Sequence, residues 1–250
     1  MSDPSQQAPE ESFISHLVEL RDRLVRASIG IAIVTAILMI WPGPSAIYDF
    51  LAQPMLASLP AGSKMIATGV ISPFMVPMKV TLLLAFVLTL PWVLYQAWAF
   101  IAPGLYTHEK KLVAPLVISS SLLFMAGVGF CYFFVFGRVF KFINEFAPAS
   151  INVAPDIENY LDFIMAMCLA FGVTFEVPVV VVVLVRMGLV PLDKLKAIRP
   201  YVIVGAFVIA AIVTPPDIVS QFSLALPMCL LYELGLLLAP LFVRVTQAPE

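Results

Sequence analysis

Two glutamates stand alone inside long apolar stretches of the sequence, where a carboxylate needs a specific environment. Glu176 lies ten residues before Arg186, and Glu233 lies eleven residues before Arg244. A charge among apolar groups costs several kcal/mol, so Glu176 is predicted to be protonated or hydrogen-bonded in a water-accessible cavity. It either joins helices as a neutral group or faces a groove that a ligand enters. For Glu233 a hydrogen bond between helices is the favoured interpretation.

A second pair of carboxylates lies in polar segments rich in basic residues. Glu19 belongs to the segment 16–24, in which three leucines form one apolar stripe at helical spacing. Glu19 lies on another face, where it is placed to pair with Arg23 four residues later. Glu109 precedes Lys110, which balances its charge if this carboxylate is only solvated.

These residue types favour the binding of arginine over the binding of a metal ion. His16 and His108 accompany the two glutamates, but four neighbouring basic side chains would repel a cation. Arginine presents a planar fork of donors that a carboxylate accepts in a bidentate manner. If Glu19 and Glu109 come together in the fold, they suit a ligand that carries two arginines. Neither a metal site nor a cofactor is predicted.

The remaining sequence indicates a polytopic membrane protein of the all-α class. Of the 250 residues, 61% are hydrophobic and 12% are charged, and the mean hydropathy is +1.00. Soluble domains have about 45–50% apolar and about 25% charged residues, and a helix needs about 20 residues to cross the hydrocarbon core. We predict six transmembrane helices: 24–41, 74–100, 112–137, 163–185, 200–213 and 218–242.

The fifth span is too short for a bilayer of ordinary thickness. Its residues 200–213 reach only about 21 Å at ~1.5 Å per residue, and the prolines of the following Thr214-Pro215-Pro216-Asp217 turn stop the helix. Such a span thins the bilayer, is shielded by its neighbours, or extends a few residues beyond these limits. We expect the fifth and sixth spans to be short or tilted.

The distribution of basic residues places both termini in the cytosol. The predicted cytosolic side holds ten basic residues: Arg21, Arg23, Arg26, Lys110, Lys111, Arg186, Lys194, Lys196, Arg199 and Arg244. The predicted outer side holds four: Lys64, Lys79, Arg138 and Lys141. Of the ten, Arg26 lies near the start of the first span and is able to snorkel. Residues 1–12 are predicted to be a disordered cytosolic tail, 13–242 a single six-helix transmembrane domain, and 243–250 a short cytosolic tail.

Other features of the sequence narrow the functional classes. The three cysteines lie in apolar stretches without a metal-ligand spacing. Both histidines lie at the cytosolic edge, so no nucleophile has a base within the spans, and an enzyme is not expected. A proton-coupled transporter of small solutes stays open, because one buried carboxylate suits proton coupling, although no internal repeat is visible. On the outer side, 45–59 has the apolar spacing of a short amphipathic helix.

Several short motifs, taken together, resemble those of the TatC family, the receptor subunits of the twin-arginine protein translocase. The motifs are HLVELR at 16–21, SPF at 72–74, YQAWAFIAPGLY at 95–106, HEKK at 108–111, AFGVTFEVP at 170–178 and TPPD at 214–217. None of them is long, but together they are specific, and the resemblance extends in order over about residues 13–240.

The resemblance implies a function and a set of functional residues. TatC-like proteins recognise the twin-arginine motif of signal peptides on folded cargo. They associate with single-span TatA- and TatB-like subunits, and transport depends on the proton motive force. By the matching motifs, Glu19 and Glu109 would form the twin-arginine site, and Arg21, Phe100 and Leu105 would shape its surface.

The resemblance also implies roles away from this surface. Glu176 would be the polar mid-membrane residue facing the concave side, and Pro54 and Asp217 would belong to functional outer segments. The expected setting is the cytoplasmic membrane, with self-association and without a nucleic-acid partner. Many members carry a glutamate shortly after the Ser-Pro of the second span, but 72–79 has no acidic residue, so no role of that glutamate is transferred.

Overall fold

The structure, a computed structural model, describes residues 7–59, 64–101, 113–146, 148, 154–214 and 217–242. These residues form the helices α1 (Gln7–Ile40), α2 (Pro44–Leu56), α3 (Ser72–Ile101), α4 (Val113–Phe130), α5 (Phe136–Phe146), α6 (Ile157–Arg186), α7 (Leu192–Ala197), α8 (Arg199–Val213) and α9 (Ile218–Phe242). A π-helical turn, Cys131–Val135, joins α4 to α5. Outside the helices, the same residues contain one isolated parallel bridge, between Ile66 and Asp156.

Five helices of the described chain are long and apolar enough to cross a membrane, which confirms the all-α membrane class. Helix α8 is apolar but has only 15 residues, as predicted for the fifth span. Helix α9 has 25 residues, so the sixth span is not short. Its tilt, the count of six crossings and the side of the termini stay predictions.

The chain divides into two compact units, and the single six-helix transmembrane domain predicted over 13–242 stays a prediction. The first unit comprises Met1–Pro42 and Leu82–Ser121, and the second comprises Gly43–Thr81 and Leu122–Glu250. Hydropathy identifies spans but carries no information on which of them pack together, so this division had no signal in the sequence.

Two predicted boundaries fall inside helices because polar residues lowered the local hydropathy. Helix α1 begins at Gln7, so residues 7–12, predicted to be a disordered tail, are helical. The third span was predicted to end at Gly137, but α5 continues the helix to Phe146. Helix α5 is amphipathic, with Phe136, Val139 and Phe140 buried and with its charged side chains exposed.

The start of α6 is set by a cap that the hydropathy pattern conceals. Asp156 Oδ1 accepts hydrogen bonds from the backbone amides of Glu158 at 3.0 Å and Asn159 at 3.1 Å. These bonds satisfy amides that have no partner within the helix. The sequence predicted a start near Phe163, since the polar residues before it resemble a loop.

Close backbone contacts hold the second unit together. A Cβ at Gly127 of α4 would lie 2.5 Å from the carbonyl oxygen of Phe171 in α6, and a Cβ at Gly172 would overlap the ring of Phe124. Helix α6 also packs along α9, and α9 along α8. The absence of side chains at these glycines lets the helices approach closely, as in many membrane bundles.

The amphipathic helix predicted over 45–59 is confirmed as α2. Ile47 and Ala52 are its buried residues. Two tyrosine hydroxyls bond its backbone: Tyr132 Oη donates to the Phe50 carbonyl at 2.6 Å, and Tyr160 Oη donates to the Leu51 carbonyl at 2.8 Å. Helix α2 is therefore a fixed part of the second unit.

Candidate functional site

Glu19 lies on α1 in the first unit and is paired with Arg23, as the spacing of the two residues predicted. Arg23 Nη2 and Nε donate to Glu19 Oε1 at 2.6 and 2.9 Å, and both side chains are partly buried. Because both bonds end on the same oxygen, Arg23 leaves Oε2 of Glu19 available to a further donor.

An aromatic stack brings this part of α1 to the end of α3. The rings of His16 and Phe100 lie 4.3 Å apart between centroids, with an interplanar angle of 22°. His16 and Glu19 are three residues apart and therefore share one side of the helix. Phe100, which the motif match assigned to the binding surface, thus lies beside the helix face that carries Glu19.

Glu109 and Leu105 lie outside the described residues, so their predicted part in the site stays a prediction. Glu109 follows Phe100 by nine residues, and an extended chain of that length spans at most about 30 Å. A segment of this length is long enough to reach α1 again, and it limits the distance between Phe100 and Glu109 to about 30 Å.

Arg21 is not brought to Glu19. Its Nε and Nη2 donate to Asp22 Oδ1 at 3.0 and 2.8 Å, and 70% of its side chain is exposed. Two residues along a helix correspond to a rotation of about 200°, so Arg21 projects from another side of α1. In this structure it therefore forms part of a solvated surface next to the site.

Glu176 lies within α6, with its side chain half-buried. It is ten residues from Arg186 at the end of the helix, a separation of about 15 Å at ~1.5 Å per residue. The carboxyl group thus lies well inside the helix, and its position in the middle of the membrane stays a prediction. Its predicted role, joining helices or facing a groove, stays a prediction.

Glu233 makes the interhelical hydrogen bond that the sequence favoured. Arg199 Nη2, at the start of α8, donates to Glu233 Oε2 of α9 at 2.7 Å. The partner was not predicted, because Arg199 had been assigned to a cytosolic loop. The sequence feature that could have indicated this partner is the position of Arg199 immediately before the fifth apolar span.

One close contact between α6 and α9 lies near Glu176 and Glu233 along the sequences of the two helices. A Cβ at Gly235 would lie 3.0 Å from Pro178 Cα and 2.9 Å from Val181 Cβ. Glu176 and Glu233 each precede a member of this contact, Pro178 or Gly235, by two residues. Because two residues along a helix correspond to a rotation of about 200°, both carboxyl groups project from other sides of their helices than this contact.

Pro54 and Asp217 occupy structurally defined positions in the second unit. Asp217 caps α9, since its Oδ1 accepts a 2.7 Å hydrogen bond from the Ser220 amide. Pro54 lies inside α2 and lines a cavity of about 440 Å³ together with Lys141 and Glu145. The functional role expected of both residues remains a prediction.

Comparison with known proteins gives a consistent result. A family model described as "Sec-independent protein translocase protein (TatC)" matches residues 15–227. The TatC protein of Halothiobacillus neapolitanus is 48% identical over 248 residues, which is 99% of this chain and 67% of that protein. The TatC protein of Escherichia coli K12 is 46% identical over 233 residues, covering 93% of this chain and 90% of that protein.

Solved structures are similar as well. A crystal structure of a twin-arginine translocase receptor, TatC, matches 92% of this chain and 100% of its own chain, with a TM-score of 0.79 and 36% sequence identity. A second crystal structure of such a receptor, in DDM, matches 90% of this chain and 99% of its own chain, with a TM-score of 0.78 and 34% identity.

Proposed function

The chain belongs to the TatC family of Sec-independent protein translocase proteins, and we propose that it is the receptor and scaffold of a twin-arginine translocase. It is a membrane protein with several spans, and its family is a transport family rather than an enzyme family. In this proposal it lies in the cytoplasmic membrane with both termini in the cytosol. It binds the twin-arginine signal peptides of folded proteins at its cytosolic face.

The recognition step uses two carboxylates, Glu19 and Glu109, each of which accepts one arginine of the signal peptide. A hydrogen bond to a charged group contributes about 1.5–3 kcal/mol, so two such bonds change affinity by roughly 10²-fold or more. The single observation that carries the proposal is the geometry at Glu19. Its Oε2 receives no bond from Arg23, and the glutamate shares a helix side with the His16–Phe100 stack.

The existing partner of Glu19 does not prevent this step. A pair of charges four residues apart on a helix contributes only about 0.3–0.5 kcal/mol. An incoming guanidinium can bond to Oε2 beside Arg23, or it can displace Arg23 and bind both carboxylate oxygens. The intramolecular pair therefore holds the glutamate in position while costing the ligand little.

After recognition, the apolar part of the signal peptide inserts along a groove lined by Glu176 and formed by α6, α8 and α9. A half-buried carboxyl group in a span supports this step, because such groups usually face a cavity or a partner. TatA- and TatB-like single-span subunits associate with the protein. The proposal also includes self-association and dependence on the proton motive force. The associated subunits, the self-association and the energy source are all proposed on the basis of membership in the TatC family.

The test is the affinity of a labelled twin-arginine peptide for the purified full-length protein. Glu19→Ala and Glu109→Ala are each expected to weaken binding by about tenfold, the loss of one charge-assisted bond. Glu109→Asp should do less harm. Asp193→Ala is the matched control, because Asp193 is a carboxylate with a 97% exposed side chain on α7. Wild-type affinity of Glu109→Ala would refute the site.

A further inference from the structure

A groove on the first unit combines an apolar floor with a cationic end. It has a volume of about 520 Å³ and lies between α1 and α3, where Ile33 and Leu88 form part of its lining. Both side chains are about half exposed. Arg26 also lines the groove. The volume is within the roughly 300–1,000 Å³ range of sites for small ligands.

The wall of the groove is fixed by a contact between the two helices. Trp92 Nε1 of α3 donates to the backbone carbonyl of Arg26 at 3.0 Å. Gly30 permits this approach, because a Cβ at that position would lie 2.7 Å from Trp92 Cδ1 and 3.2 Å from Thr89 Cγ2. The indole therefore anchors α3 to the turn of α1 that carries Arg26.

Arg26 differs from the other arginines of α1 in having no acidic partner among the described residues. Arg21 is paired with Asp22, and Arg23 is paired with Glu19. Arg26 is exposed and forms no ion pair within the described chain. A guanidinium that has no acidic partner in the described part of the chain, at the end of an apolar groove, is complementary to an amphipathic anion.

The depth of this position fits the boundary of a bilayer. Trp92 is 20 residues from Ser72 at the start of α3, about 30 Å along the helix and close to the thickness of a hydrocarbon core. Trp92 stacks on Tyr95 with centroids 5.8 Å apart, and both rings are nearly half exposed. Exposed Trp and Tyr side chains are typical of the membrane–water interface.

From these observations we propose that the groove binds one anionic phospholipid. The phosphodiester accepts hydrogen bonds from Arg26 at the level of Trp92, and an acyl chain lies along Ile33 and Leu88. Arginine suits this role because its fork matches phosphate oxygens and its apolar stem rests on the helix. The proposal concerns a lipid site and does not depend on signal-peptide binding.

The experiment uses Trp92 as the reporter in the full-length protein. Trp41→Phe and Trp98→Phe leave Trp92 as the sole tryptophan. The protein is reconstituted into vesicles that contain phosphatidylglycerol or phosphatidylcholine with brominated acyl chains, and quenching of Trp92 is measured. We expect phosphatidylglycerol to be preferred about fivefold, the factor that corresponds to about 1 kcal/mol for one basic residue at an anionic surface.

Three variants make the result specific. Arg26→Gln should reduce the preference for phosphatidylglycerol over phosphatidylcholine to a ratio near one. Arg26→Lys should retain most of the preference, and this variant also tests whether the fold tolerates substitution at position 26. Lys194→Gln, which removes the same charge from an exposed position on α7, should keep the full preference. An unchanged preference in Arg26→Gln would overturn the headgroup contact. Absence of quenching by either lipid would overturn lipid occupancy and indicate a protein partner in the groove.

Discussion

Among the charged residues of this chain, pairs that join helices differ physically from pairs within one helix. Arg199 and Glu233 bring α8 and α9 together through a 2.7 Å hydrogen bond. The pair of Lys141 and Glu145 is local to α5, 3.7 Å long and mostly exposed. Removing one member of the first pair leaves the other without its described partner, whereas water replaces either member of the second pair.

Glu233→Gln is therefore expected to destabilise the protein by only about 1 kcal/mol. The expected loss is small because both side chains are partly exposed, which weakens the interaction between them. Arg199→Gln should have a similar effect, and the double variant should cost less than the sum of the two, since both substitutions break one interaction. Thermal unfolding in detergent measures these changes. Lys141→Gln is the control and should be nearly neutral. Additive losses at 199 and 233 would show that the residues act separately.

The residue-scale predictions succeeded where the partner is close in sequence. The bond between Glu19 and Arg23 follows from a spacing of four on a helix. For Glu233 an interhelical bond was predicted without its partner, since Arg199 is 34 residues away and nothing in the sequence specifies how α8 packs on α9. The same reason kept the Trp92–Arg26 contact, 66 residues apart, from being predicted.

At the scale of helices, the ends are determined by caps and turns as much as by hydropathy. The sixth span was predicted at 218–242 and α9 has these limits, because the sequence Thr-Pro-Pro-Asp immediately precedes its start and apolar residues continue to its end. The fourth span was predicted six residues late, because the first turn of α6 is polar. Helix α7 was not predicted within the loop 186–199, since six residues carry too little periodicity.

The cap of α6 makes the stability of the protein depend on pH. Asp156 accepts hydrogen bonds from Thr68 Oγ1 at 2.7 Å and from the Thr68 amide at 3.1 Å, besides the two at the helix start. The Thr68 hydroxyl, followed by the backbone amides, lowers the pKa of Asp156 below its ordinary value of 3.8. The stabilisation is present above that value and is lost as the pH falls through the lower folded-state pKa.

Asp156→Asn should therefore lower the Tm at neutral pH and remove part of the decrease in Tm that the wild type shows as the pH falls below about 4. Unfolding curves between pH 3 and 7 measure this. Asp193→Asn changes an exposed carboxylate and should keep the wild-type profile. The explanation would be wrong if Asp156→Asn and the wild type lost stability in parallel across this range.

Two glycines of α4 provide a matched test of the contact between α4 and α6. Gly127→Ala should destabilise the protein by about 1–3 kcal/mol, because the new Cβ would lie 2.5 Å from the Phe171 carbonyl oxygen. Gly129→Ala should be neutral or stabilising, since nothing lies within 4 Å of its added Cβ and alanine favours helix. Thermal unfolding of both variants checks this. Equal stability of the two would exclude a close contact at Gly127.

For the whole molecule, the sequence predicted the class and the family more reliably than the arrangement of parts. Long apolar spans and ordered motifs indicated an all-α membrane protein of the TatC family, which the family match over residues 15–227 supports. The division into two compact units was not predicted, because the hydropathy pattern does not specify which helices pack together. The convergence of Glu19 and Glu109 likewise depends on tertiary packing, and it stays a prediction because Glu109 lies outside the described residues.

The central claim is that Glu19 and Glu109 together bind the two arginines of one signal peptide. The most direct measurement is photocrosslinking with a peptide that carries a photoreactive leucine next to its arginine pair, followed by mapping of the adducts on the full-length protein. We predict adducts in both 16–24 and 105–111 and their loss when the two arginines are replaced by lysines. Adducts in only one segment, or equal yields with the lysine peptide, would contradict the account.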